Sequence, residues 1–376
     1  MLLTEFEGKR LLREAGIKVP DGTLISSAEA LARRKLAYPV AVKAQVASGS
    51  RGKAGGVVRA ATSAAARRAA RCILGMRFGG ETPAAVLVEP WLAIQREVYL
   101  SVTVDPAAEG YVLLYSPHGG ADIEGGQPPL RYEIGPAHRF RSYRLREILA
   151  TVEHDVVLRE KVVALGRRLL ELASSRDCVT VEINPLALLQ DGSLVAADAK
   201  VVRDEYAAFR AADIQTAVHA THKREPKPIA RALAGDLMLV WLDGEVGLIS
   251  GGAGMTMATM DLVGDAGGRP ACFLDCSANP TPGGYRLAFD LLDHEPKVRV
   301  ILVSIFGGLT QMDRVARVMR EIMQERKSRK PVVFRLNGTN AGRVEEIFAG
   351  SGLHNHTALE DAVAEAVAIA RKGART

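Results

Sequence analysis

With 376 residues, the chain is long enough for two or three domains with cores of their own. Its 24% charged residues, 49 Lys and Arg against 43 Asp and Glu for a formal charge of +6, exclude an acidic tail protein and a generally disordered chain. No apolar run approaches the roughly 18–20 residues of a membrane span, the start MLLTEFEGKRLLREAG lacks a basic-then-apolar leader, and four cysteines make no disulfide scaffold. The expectation is a soluble, cytoplasmic globular protein with no membrane partner.

Taken in chain order, residues 1–225 mix short strands with long loops. YPVAVKAQV (38–46), AAVLVEPWL (84–92), REVYLSVTVD (96–105) and EGYVLLYS (109–116) read as strands, many alternating with period two as half-buried antiparallel strands do. The basic run at 66–71 reads as one solvated helix face. With no recognisable nucleic-acid module and no aromatic stacking positions, nucleic acid is not an expected partner. A helix over about 157–174 places Val162, Leu165, Leu169 and Leu172 on one face. VTVEINPLALL (179–189) and SLVAADAKVV (193–202) follow as a hairpin around the Asp-Gly turn of LQDGSL.

The charged, proline-bearing stretch 222–236 reads as a linker to a second domain, 236–376. There the apolar runs VGLIS, PACFLDC, VRVILVSIF and PVVFRL alternate with helical stretches, the clearest over 310–326 with Met312, Val315, Met319, Ile322 and Met323 on one stripe. That alternation implies a parallel sheet covered on both faces, with ligands at the carboxyl ends of its strands. Glycines stand at those ends: Gly251, Gly252 and Gly254, then Gly307 and Gly308.

Four features carry candidate chemistry. In AVKAQVASGSRGKAGGV (41–57) a strand ending near Lys43 and Gln45 runs into a loop with Arg51, Lys53 and four glycines, which has the composition of a phosphate cradle, and equally that of a basic surface loop; it is no Walker A motif. Glu89 and Glu97 flank a short irregular stretch and can accept the amine or hydroxyls of a nucleotide, or be ordinary surface acids. Asn184 and Asp198 lie on the two arms of the hairpin as hard oxygen donors of the kind Mg²⁺ prefers. Helices opening at Gly252–Met255 and at Leu309–Thr310 present free amides to anions. The eight histidines show no zinc spacing, and Cys272 and Cys276 read as buried small hydrophobes.

These stretches, in order and spacing, resemble the β subunits of ADP-forming succinate–CoA ligases: EFEGKRLLREAGIKVPDG, VKAQVASGSRGKAGGV, VEINPLAL with DAK after one hairpin, GGAGMTMATMD and SIFGGLTQMD. The resemblance spans the chain. It implies an α/β architecture, an ATP-grasp nucleotide-binding domain over 1–225 followed by a flavodoxin-like CoA-ligase domain. By the same resemblance, Lys43, Ser50, Arg51, Gly52, Glu89, Leu92 and Glu97 bind the nucleotide, Asn184 and Asp198 hold Mg²⁺, and Gly251, Gly308, Leu309 and Thr310 bind the carboxylic acid. ATP and CoA are then substrates. The phosphohistidine and the CoA site belong to an α subunit, in an αβ or (αβ)₂ assembly, and none of the eight histidines here has a matching context.

The departures from the family pattern gather on the acid side. Gly251 replaces an asparagine, CSANPTPGG (276–284) replaces a run of glycines, and GGLTQMD lacks the arginine after its glycines. In the nucleotide loop, Ala47 replaces a histidine and Ser50 a glycine. The resemblance therefore implies ATP-dependent acyl-CoA ligation with the acid left open, malate standing beside succinate. A non-catalytic nucleotide-binding homologue is the alternative from another class.

Overall fold

The computed structural model describes residues 1–47, 52, 54–120, 127–222, 225–328 and 330–372. The backbone divides into two compact units, Met1–Thr216 and Ala217–Thr376. Among the described residues, no helix is long and apolar enough to cross a membrane.

The first unit opens with α1 (Glu5–Glu14), started by a capping box: the Glu7 carboxylate accepts the Thr4 N–H at 2.9 Å while the Thr4 hydroxyl accepts the Glu7 N–H at 3.4 Å. There follow β1 (Thr23–Ile25), α2 (Ala28–Ala32), β2 (Val40–Ala44), β3 (Val57–Ala60), α3 (Ser63–Leu74) and β4 (Val86–Pro90). The four strands form an antiparallel sheet in the order β1-β4-β2-β3. In α3, Ala66, Ala69, Ala70 and Ile73 recur at helical spacing and bury against that sheet, leaving Arg67, Arg68 and Arg71 exposed.

Next come β5 (Ile94–Asp105), β6 (Gly110–Ser116), β7 (Leu130–Gly135), α4 (Ser142–Leu149), α5 (Val156–Ser175), β8 (Cys178–Leu189), β9 (Leu194–Ala196), β10 (Lys200–Arg203) and, running across the division between the units, α6 (Ala212–His222). They build a six-stranded antiparallel sheet, β10-β8-β5-β6-β7 with β9 on β8. Helix α5 is capped by Asp155, which accepts the N–H groups of Val157 and Leu158. Its stripe of Val162, Leu165, Leu169 and Leu172 is buried with Val98, Leu100, Leu113 and Val181 of the sheet.

The second arm of the hairpin, expected as one strand over 193–202, is two. The ladder breaks at 197–199 and resumes in the same register, with Leu186↔Ala196 on one side and Glu182↔Lys200 on the other. The cause lies in Pro185, opposite Ala197. Ala197 N–H donates to the Pro185 carbonyl at 3.1 Å, but proline has no N–H to return, so the Ala197 carbonyl turns elsewhere.

The second unit holds α7 (Lys227–Ala234), β11 (Met238–Trp241), β12 (Val246–Ser250), α8 (Ala253–Asp265), β13 (Cys272–Asp275), α9 (Pro282–His294), β14 (Val300–Gly307), α10 (Met312–Glu325), β15 (Val332–Gly338), α11 (Val344–Phe348) and α12 (Leu359–Lys372). Its sheet runs β11-β13-β12-β14-β15, with β11 an antiparallel edge and the other four strands parallel. The parallel strands read as near-continuous apolar runs because helices cover them: β12 and residues 300–305 of β14 are fully buried. Met312, Val315, Met319 and Ile322 of α10 are buried, with Met323 packed beside them. Two expectations are corrected here. The stretch expected as a linker contains α7, whose Ala232 joins the core of this unit. The helix expected from Leu309–Thr310 begins at Met312, because Met312 N–H bonds to the Thr339 carbonyl and Thr339 N–H to the Gly307 carbonyl, holding 307–311 as a turn.

Candidate functional site

Four charged side chains meet inside the first unit, all less than a tenth exposed: Glu5 and Lys9 of α1, Lys43 of β2 and Glu89 of β4. The i, i+4 spacing of Glu5 and Lys9 sets both on the inner face of α1. Lys43 and Glu89 come from neighbouring antiparallel strands. The Lys9 ammonium meets Glu5 Oε1 at 2.7 Å, both Glu89 oxygens at 2.7 Å and the Ala197 carbonyl at 2.8 Å. The Lys43 ammonium meets the same three partners: Glu5 Oε1 at 2.8 Å, Glu89 Oε2 at 3.0 Å and the Ala197 carbonyl at 2.6 Å. An ammonium has three N–H donors, so each lysine is matched in its charged form. Burial alone pushes the Lys43 pKa down, but Glu5, Glu89 and Asp198 outweigh it and hold the group above its ordinary value. At Lys9 burial prevails, with Lys43 adding a like charge, and the pKa falls.

The carbonyl that both lysines grip precedes Asp198. Because the register is the same on either side of the break, Asn184 of β8 stands opposite Asp198. The Asn184 side chain is fixed in turn by the backbone of Gly120: Oδ1 accepts the Gly120 N–H at 2.6 Å, and Nδ2 donates to the Gly120 carbonyl at 3.1 Å. Asp198 Oδ1 accepts the Ala199 N–H at 2.7 Å. The loop bearing Gly120 is pinned again upstream. Gly119 N–H donates to the Glu97 carbonyl at 3.0 Å, and Arg96 donates to the Pro117 carbonyl at 3.3 Å while clamping the buried Glu153 at 3.2 and 2.8 Å.

The expected nucleotide residues are thus dispersed in role. Lys43 and Glu89 are buried partners in one charge cluster. Glu97 is exposed and stands against Gly120, Leu92 is half-buried just after β4, and Gly52 is exposed. Ser50 and Arg51 lie outside the described residues. Glu5 and Lys9 were not singled out from sequence. Their signal was present, two opposite charges one helical turn apart on the face that also carries the buried Gly8 and Leu12.

In the second unit Gly251 follows β12 and Gly252 caps α8. The Gly252 N–H donates to Asp275 Oδ1 at 2.8 Å, so a carboxylate already sits at that helix start. A side chain at Gly251 would have room, the nearest atom to an added Cβ being Ile305 Cγ2 at 3.5 Å. Gly308, Leu309 and Thr310 form the turn after β14, with the Gly308 carbonyl accepting from the Thr339 hydroxyl at 2.7 Å and Leu309 fully exposed.

Asn184 and Asp198 supply amide and carboxylate oxygens from facing positions, a donor set suited to a hard cation such as Mg²⁺. Among the described residues there is no cluster of three or more His, Cys, Asp and Glu that would hold a metal without other ligands. Such a pair suits an ion that takes further oxygens from water and phosphate.

Comparison with known proteins agrees with this division. An ATP-grasp domain model matches residues 2–188, and a CoA-ligase model matches 249–370. The chain is 37% identical over 382 residues to the β subunit of succinate–CoA ligase [ADP-forming] of Desulfurococcus amylolyticus, covering 99% of each. It is 38% identical over 388 residues to that of Desulforapulum autotrophicum, covering 98% of this chain and 100% of the relative. In fold it is similar to the solved ATP citrate lyase of Methanothrix soehngenii, with a TM-score of 0.70 at 18% identity over 98% of this chain and 99% of that one. An ATP-grasp unit, a parallel CoA-ligase sheet and relatives matched from end to end settle the family: the chain belongs to the β subunits of ADP-forming succinate–CoA ligases.

Proposed function

We propose that this chain is the nucleotide-side subunit of a ligase that joins a carboxylic acid to CoA, converting ATP to ADP and phosphate. The observation that carries the reading is the convergence of Lys43, Asn184 and Asp198 on one hairpin, the Lys43 ammonium and the Asp198 backbone sharing the Ala197 carbonyl. Phosphoryl transfer asks a protein chiefly for position and charge neutralisation. Lys43, with Ser50, Arg51 and Gly52 of the glycine loop, is proposed to meet the phosphates, and Glu89, Leu92 and Glu97 to border the nucleotide. Asn184 and Asp198 would hold Mg²⁺, which when bound neutralises phosphate charge.

The phosphohistidine and the CoA site are assigned to an α subunit, and the place of action to the cytoplasm. Gly251 and the turn Gly308–Leu309–Thr310 form the proposed acid region. With glycine at 251, no side chain there offers the substrate a donor, and a site lacking one hydrogen bond selects a different acid from a site that has it. Co-expression with the α subunit and a screen of di- and tricarboxylic acids, following acyl-CoA by mass, tests this. The expected result is multiple-turnover ADP release that needs both an acid and CoA, beyond the single ADP per complex that phosphorylating the histidine releases. Acyl-CoA formation from none of the acids, alongside intact nucleotide binding, would instead favour the non-catalytic reading.

A further inference from the structure

The nucleotide reading leaves Lys9 without a part, although its ammonium is as fully bonded as that of Lys43. We propose that Lys9 is a positioning residue that keeps hold of Glu5, Glu89 and the Ala197 carbonyl when Lys43 turns to a nucleotide phosphate. The inference rests on the nucleotide reading of Lys43.

All three N–H groups of Lys43 are engaged by Glu5, Glu89 and Ala197, so a phosphate gains Lys43 only by displacing at least one of them. The four buried side chains carry two negative and two positive charges. When Lys43 leaves, Glu5 and Glu89 remain with Lys9 as counter-ion. No displacement of Lys9 is needed, since it already bonds the same carboxylates and the same carbonyl. Without Lys9, departure of Lys43 would leave two buried carboxylates with neither ammonium, and stranding buried charge is costly. Lys9 thus does two things for the site. It makes Lys43 releasable, and it keeps the Ala197 carbonyl anchored, and with it Asp198, during the release.

The charge balance makes signed expectations. Lys9→Met should trap Lys43 on the two acids and weaken MgATP binding by about thirtyfold or more, with adenosine, which has no phosphate, altered less than about threefold. Adding Glu5→Gln to Lys9→Met restores the charge left behind to that of the wild type, and should recover MgATP affinity to within about fivefold. Glu5→Gln alone loosens Lys43 and should tighten MgATP severalfold, and this variant serves should Lys9→Met fold poorly. The measurement is calorimetric titration of the full-length chain with MgATP and with adenosine. Equal MgATP affinity for wild type and Lys9→Met, a double variant as weak as Lys9→Met, or weaker MgATP binding by Glu5→Gln would overturn the inference. A wild-type chain that binds no MgATP would instead defeat the nucleotide reading itself.

Discussion

Pro185 and Ala197 face each other across the β8–β9 hairpin and exchange one backbone hydrogen bond where an antiparallel pair can exchange two, Ala197 N–H reaching the Pro185 carbonyl at 3.1 Å. The carbonyl left over by the proline accepts two buried ammonium groups, Lys9 at 2.8 Å and Lys43 at 2.6 Å. One missing N–H therefore opens the strand beside Asp198 and ties that opening to the charges of a neighbouring sheet and helix.

The pair Asn184 and Asp198 is expected to set the Mg²⁺ requirement. Asp198→Ala should lower ATP-dependent turnover by about a hundredfold or more and raise the Mg²⁺ concentration needed for half-maximal rate. Asn184→Ala should act in the same direction. A Mg²⁺ titration of ADP formation measures both, and an unchanged midpoint in Asp198→Ala would remove the residue from the metal site.

Gly119 is pressed against the backbone of β5. A Cβ there would lie 2.7, 2.8 and 3.1 Å from Val98 O, C and N, distances at which the backbone itself must shift. Gly119→Ala should lift the loop and pull Gly120 from the Asn184 amide. The expected effect is a rate loss of about tenfold or more, since misplacement by an ångström is costly to positioned chemistry. Steady-state kinetics beside a thermal melt checks this, and full activity in the alanine variant would show that the loop does not position Asn184.

Glu153 holds the same loop through Arg96 and also accepts the Tyr115 hydroxyl at 2.5 Å. Burial alone would raise its pKa, but Tyr115, Arg96 and the Asp155 N–H outweigh it and hold the carboxyl below the usual range. Glu153→Gln should cost about 2 kcal/mol near neutral pH, since it replaces charge-assisted bonds with neutral ones. A depressed folded-state pKa stabilises above the unfolded value and is lost as pH falls through the folded one. The gap between wild type and variant should therefore be constant near pH 7 and close below about pH 4. Urea unfolding at both pH values reads it; a gap that widens in acid would contradict the assignment.

The four cysteines should divide one against three. Cys72 is exposed, while Cys178, Cys272 and Cys276 are buried. Burial pushes the Cys178 thiol up to about 11 and Cys272 up to about 12, with Cys276 shifted the same way. Ellman's reagent should react rapidly with one thiol per native chain and with all four after denaturation. Two or more fast native thiols would show that the buried set is accessible.

Much of this was legible in the sequence where the signal is local. The hairpin announces itself through alternation around Asp-Gly, and α5 and α10 through apolar residues at helical spacing. Strands β1, β3, β7 and β11 escaped because they are short or half-exposed, with a single buried residue each in TLI, VVRA and MLVW and two in LRYEIG. The break at 197–199 could not be read from AADAK, which alternates well enough for a strand; it needs Pro185 opposite and two lysines arriving from 188 and 154 residues away. The same nonlocality hid Lys9. A Glu-Lys pair on a helix ordinarily reads as a solvated face, and here Glu89, 80 residues on, closes over it. The acid region stayed open for a different reason: a glycine at 251 records what a site lacks, not what it accepts.

The most direct test of the central claim is ADP formation by the chain co-purified with its α subunit, measured with each of ATP, carboxylic acid and CoA withheld in turn, acyl-CoA being weighed by mass spectrometry. The account expects ADP beyond one per complex, matched by acyl-CoA in equal amount, only when all three are present, and both to collapse in Asp198→Ala. ADP released in full without CoA or acid, or a rate undiminished by Asp198→Ala, would contradict it.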